Sequence, residues 1–175
     1  MKNTSENTKA KKTTINLGSI PLNVYQMPDG SYKLSLDSVT EAIVEQRRNL
    51  LRFMNGKSEL ALPFKDYQLF HADRVSIDGP EQFFKPIPVK LATAYWLYRA
   101  MKGNQKAAAL MLACTEESIE RRADKAFDFQ RTEEEYNRVL SDRYHQYEQI
   151  LSDRNQEIDH RRLPGDDLYL PIGIN

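Results

Sequence analysis

The sequence predicts an α+β fold: a small hairpin sheet, a pair of helix-turn-helix-like helices, and a long C-terminal helical arm. Three observations carry this expectation. Pro28-Asp29-Gly30 separates two β-prone runs, Ile20 to Met27 and Tyr32 to Leu36, with the proline presetting a bend and the glycine accepting positive φ. Two short amphipathic stretches follow between Ser38 and Gly56. An eleven-residue repeat then begins at Tyr136, where YNRVLSDR recurs as YEQILSDR from Tyr147.

Taken in order, MKNTSENTKAKKTT is polar, carries four lysines and lacks an apolar stretch, so residues 1–14 are expected to be a disordered basic arm. Residues 15–130 are expected to form the α+β body. After the hairpin, Ser38 and Glu41 have capping-box spacing, and Val39, Ala42 and Ile43 supply an apolar face. Asn49 is placed to cap a second helix whose Leu50, Leu51, Phe53 and Met54 face inward, with Gly56 ending it. Leu60 to Phe70 and Arg74 to Ile77 read as extended. Asp78-Gly79-Pro80 breaks them, and Phe83 to Pro88 carries two prolines that forbid a regular helix. This stretch suits a second short hairpin or a pair of irregular strands.

From Pro88 the chain turns helical, with Val89, Leu91, Ala92, Tyr95, Trp96, Leu97, Tyr98 and Met101 making a thick apolar helix. Gly103 interrupts it, and Asn104 can cap the next, buried helix through Ala107 to Ala113. The spacing of the aromatics points to core packing rather than to stacking on bases. In the arm, residues 131–162, the repeat gives about 3.67 residues per turn. Tyr136, Val139, Leu140, Tyr147, Ile150, Leu151 and Ile158 therefore line up as a seam. That seam is expected to join copies as a homo-oligomeric coiled coil, with packing on the chain's own body as the other solution. Pro164-Gly165 stops the helix, and Leu168, Leu170 and Ile172 alternate in the tail, residues 163–175, as an edge strand or clip on another subunit would.

The chain has 175 residues and a formal charge of zero, yet the charge is divided. Residues 1–114 hold 16 Lys+Arg against 10 Asp+Glu, net +6, and residues 115–175 hold 9 against 15, net −6. A positive body with a negative arm suits a polyanion-binding domain, and equally a tail folded on its own body. A single cysteine, Cys114, excludes an internal disulfide framework and points to a reducing, cytoplasmic setting. Neither a membrane span nor a signal peptide is read from the pattern.

The candidate site is the second short helix. Arg47, Arg48 and Arg52 are expected to contact phosphates or base edges of double-stranded DNA, with Asn49, Asn55, Lys57 and Lys65 as supporting donors. Catalytic patterns are thin. Ile158-Asp159-His160 before Leu163-Pro164-Gly165 has the opening of an HNH nuclease, but no later histidine follows. Asp78, Glu81 and Lys85 have the residue types of a metal-dependent nuclease without its carboxylate-x-lysine step. His71 and His145 stand apart from any partner motif. No catalytic residue, metal ligand or cofactor is therefore assigned, and the enzyme question stays open.

The order hairpin, GSYKLSLDSVTEAI, RRNLLRFMNGKS, then a Trp-bearing helix pair resembles the DNA-binding domains of phage antirepressors of the KilA-N and Bro-N type. Gly30, Tyr32, Trp96 and Asn104-Gln105-Lys106-Ala107 carry the likeness, over about residues 15 to 125. Serines and leucines stand in the second motif where the family often has asparagine, alanine and threonine. The whole chain is also similar to short proteins of cyanobacterial genomes and their mobile elements. The resemblance implies DNA binding by the region from Arg47 to Lys57, in a regulator or accessory factor of transcription. A protein-protein adaptor using the arm, and a mobile-element nuclease around Asp78, Glu81 and Lys85, are the alternative readings.

Overall fold

The computed structural model describes residues 9–67, 75–76 and 83–161. The chain is α+β, as the pattern predicts. Four strands form an antiparallel sheet in the order β1 (Lys11–Leu17), β2 (Ile20–Gln26), β3 (Tyr32–Ser35) and β6 (Pro86–Pro88). Five helices complete the body: α1 (Leu36–Glu41), α2 (Arg47–Met54), α3 (Val89–Met101), α4 (Gln105–Ala126) and α5 (Glu133–Arg161).

The β2–β3 hairpin forms where expected. Met27 and Ser31 close its turn by a 2.8 Å backbone bond, the Asp29 carboxylate accepts from the Ser31 amide at 2.8 Å, and Gly30 sits at φ 81°. The strand before it departs from expectation. Lys11–Thr14 belong to β1 and pair residue by residue with β2, so the disordered arm expected over 1–14 does not extend through them. The cause is the turn at Gly18, whose φ of +62° lets two residues reverse the chain. Residues 1–8 lie outside the described residues.

Two capping assignments change. The α1 cap is Ser35, whose hydroxyl accepts from the Ser38 amide at 3.0 Å, so the helix starts three residues earlier than the Ser38–Glu41 pair implies. Ser38 is instead buried, and its hydroxyl accepts from the Asn23 amide of β2. The α2 cap position is Gln46 without a side-chain bond, and Asn49 lies inside the helix. By contrast Asn104 caps α4 as expected, accepting from the Ala107 amide at 2.8 Å.

The segment read as extended from Leu60 is a short 3-10 helix, Glu59–Phe64, which buries Ala61 and Phe64 against the body. Tertiary burial of those two apolar residues overrides the local β preference. The expected second hairpin is present in brief form as β4 (Val75–Ser76) against β5 (Phe83–Phe84), and Pro86–Pro88 then joins the main sheet beside β3.

One continuous core holds the sheet, the short helices and the arm together. It includes Leu22, Val24, Leu34, Leu50, Phe53, Ile87, Leu91, Tyr95, Trp96 and Leu110, and it extends to Leu140 and Tyr144 of α5. The arm therefore docks on its own body. Tyr136 and Leu140 are buried, Val139, Tyr147 and Leu151 are half-buried, and Ile150 points to solvent. Much of the seam thus packs on the chain's own body, the other solution its pattern allows, with Ile150 left exposed and the side chain of Ile158 outside the described residues. The repeat explains this docking. Its two tyrosines reach acids on α4, with the Tyr136 hydroxyl donating to Asp124 at 2.8 Å and that of Tyr147 donating to Glu116.

Candidate nucleic-acid interface

The α2 sequence RRNLLRFM places its apolar residues on one side, and Leu50, Phe53 and Met54 are buried. Phe53 meets the rings of Tyr95 and Tyr98 on α3, with centroids 5.6 and 4.9 Å away. These contacts fix the rotation of α2 about its axis. Arg48, Arg52 and Asn55 stand four and then three positions apart, so they fall on one opposite, exposed stripe. Arg48 and Arg52 have no ion-pair or hydrogen-bond partner among the described residues.

The other predicted donors divide. Arg47 is exposed but forms an ion pair with Asp37 of α1, which neutralises part of its charge. Lys57 lies just past α2, and Lys65 ends the 3-10 helix that packs beside it; both are exposed. Asn49 is not available as expected. Its side chain is half-buried, and its amide donates to the Glu45 carboxylate at 2.5 Å.

Glu45, which no sequence pattern singles out, organises the region. It sits in the turn between α1 and α2 with its side chain 9% exposed. It accepts from Asn49 of α2, from Arg99 Nε at 2.8 Å near the end of α3, and from Asn104 at 3.0 Å at the start of α4. Burial pushes its carboxyl up, but the hydrogen bonds from Asn49, Asn104 and Arg99 outweigh burial and hold it below its ordinary value. The same Asn104 amide also donates to the Ile43 carbonyl at 3.2 Å. The carboxylate thus fastens the arginine-bearing helix to the α3–α4 corner. An acid just ahead of an Asn-bearing helix is the only signal, and it does not announce partners 54 and 59 residues away.

Trp96 is a core residue, as its spacing implies. It is buried, and its indole N–H donates to the Val39 carbonyl of α1 at 2.8 Å. Gly30 and Tyr32 sit at the β2–β3 turn and the start of β3, with Tyr32 exposed. Asp78, Glu81 and His71 lie outside the described residues, as do the side chain of His160 and the tail beyond Arg161. Among the described residues, no three His, Cys, Asp or Glu side chains come together as metal ligands, and no helix is long and apolar enough to cross a membrane. Burial pushes the Cys114 thiol up to about 12, which leaves it un-ionised at neutral pH.

Comparison with protein-family models, curated proteins and solved structures finds no match to this chain.

Proposed function

We propose that the chain is a non-catalytic DNA-binding protein, a regulator or accessory factor of the phage or mobile-element kind, that meets duplex DNA with the outer stripe of α2. One observation carries the reading. Arg48 and Arg52 project from a helix whose opposite face is locked into the core, and neither is satisfied by a neighbour among the described residues. Long cations held without internal partners on a fixed helix suit phosphates and guanine edges. Asn55, Lys57 and Lys65 extend the donor surface beyond the end of α2, whereas Asn49 takes no part. Arg47 joins by exchanging Asp37 for a phosphate.

A mobility-shift titration on long duplex DNA tests this. Wild-type protein retards the duplex at low salt, and Arg48→Ala with Arg52→Ala weakens binding at every sequence while leaving the circular dichroism unchanged. The salt dependence of log K flattens by about 0.9 for each phosphate that the variant no longer neutralises. Absence of retardation by wild-type protein at low salt ends the proposal.

A further inference from the structure

Strands β1, β2 and β3 turn one face of the sheet toward α3 and α4, and between them lies a cleft of about 580 Å³. The register sorts that face into rows, because residues directly opposite in an antiparallel pair point to the same side. Thr13, Val24 and Leu34 form one row, Ile15 and Leu22 the next, and Leu17 belongs to the last that reaches the cleft. Val89, Thr93 and Trp96 of α3 with Cys114 of α4 wall the other side. Among the described residues, no charged side chain lines this space. Ile15 and Val89 are nevertheless each 43% exposed, so its apolar walls meet solvent. Beyond Trp96 and Cys114 it adjoins a hollow of about 310 Å³ that ends at Ile119.

The row just before Thr13 has a different chemistry. Lys11 stands opposite Gln26, and Gln26 opposite Tyr32, so an ammonium, an amide and a phenol share the cleft face at its end. All three are exposed, and Lys11 has no ion-pair partner among the described residues. Lys12 turns to the other face, where its ammonium lies over the Tyr25 ring. An apolar trough with hydrogen-bond donors and a positive charge at one end fits a molecule that is apolar along its length and anionic at one tip. We propose that this cleft binds a single-chain fatty carboxylate, with its tail laid along the rows from Thr13 to Leu17 and its head on Lys11, Gln26 and Tyr32. Length agrees. The rows from Thr13 to Leu17 span about 14 Å of strand, and one acyl chain covers about 15 Å, half of a bilayer's hydrocarbon core. Charge selects the head group. Lys11 attracts a carboxylate and repels a cation, and the Gln26 amide and Tyr32 hydroxyl supply further donors to its oxygens.

Trp96, the sole tryptophan, lines both hollows, so its fluorescence reports the cleft in the full-length protein. Calorimetric titration with sodium dodecanoate below its micelle concentration is expected to show one molecule bound per chain, and a fatty acid carrying a doxyl spin label on its tail quenches Trp96. Lys11→Glu weakens dodecanoate by about tenfold and leaves dodecanol unchanged. Ile15→Asp, a change at an exposed position, abolishes both with the circular dichroism preserved. Dodecyltrimethylammonium, with the same tail and a cationic head, binds more weakly than dodecanoate. Absence of saturable dodecanoate binding by wild-type protein overturns the proposal. So does an affinity untouched by Lys11→Glu. Pelleting with phosphatidylglycerol vesicles in place of any response to the free acid also overturns it, because an anionic membrane surface is then the ligand. None of these readings involves DNA, so they stand or fall apart from the binding proposal.

Discussion

A single carboxylate, Glu45, couples three helices through residues distant in sequence. Removing it leaves Arg99 and the Asn49 amide without this acceptor and Asn104 with the Ile43 carbonyl alone, in a largely buried place. Glu45→Ala is expected to cost about 3 kcal/mol by urea denaturation, the usual range for breaking a largely buried pair. The depressed carboxyl also fixes the sign with pH. Its contribution is complete above the unfolded value and disappears as pH falls through the lower folded value. Tyr95 is the reverse case. Its hydroxyl is buried with no hydrogen-bond partner among the described residues, and burial raises its pKa, with the Glu45 charge adding to the effect. Tyr95→Phe removes that unsatisfied group while keeping the ring against Phe53, and should raise stability by about 1 kcal/mol in the same measurement.

Among the elements, the hairpin tip at Gly18 packs closely against α5. A Cβ there would lie 2.7 Å from the Ser141 amide nitrogen and 2.8 Å from a Leu140 methyl, and φ is already +62°. The Gly18 amide donates to the Asn137 side chain at 3.2 Å. Gly18→Ala therefore forces the β1–β2 hairpin off α5, at an expected cost of about 2 kcal/mol or more, read as a lower melting temperature. The fold is legible in the sequence wherever local chemistry decides the outcome. Pro28-Asp29-Gly30 specifies the turn, Asn104 the α4 cap, and the spacing of Leu91, Tyr95 and Trp96 the buried side of α3. It is illegible where distant partners decide. Lys11–Thr14 look like a solvated arm until β2 pairs with them, and Leu60 looks extended until Ala61 and Phe64 find the core. The site follows the same division. The exposed stripe of Arg48 and Arg52 can be read from helical spacing, whereas the capture of Asn49 by Glu45 depends on the α3–α4 corner.

Across the molecule, the ion pair of Lys106 with Glu148 joins the positive and negative halves of the chain, whereas the arginines of α4, α5 and their connection pair with acids of their own half. Arg121 reaches Glu117 and Glu133, Arg131 reaches Glu120 and Asp124, and Arg143 reaches Glu116 and Glu120. Hydrogen bonds from Arg143 and Arg121 hold Glu120 and Glu133 below the ordinary 4.5. The stability they add is present above 4.5 and fades as pH drops through their lower folded values. The melting temperature should accordingly fall on acidification below that point, and the fall should be smaller in Arg143→Met, which lacks one side of the network.

The repeat in α5 has a further implication for assembly of the fold. Asn137, Leu140 and Ser141, which embrace Gly18, have counterparts at Glu148, Leu151 and Ser152 eleven positions on. The helix thus carries a partial copy of that seat about 16 Å further along its axis, with Glu148 in the place of Asn137 and paired with Lys106 of α4. What selects the first seat is the brevity of the connection at residues 127–132, clasped from both sides by Arg121 on Glu133 and Arg131 on Glu120. That tether acts as the ruler of the molecule, and its length determines which rung the sheet occupies.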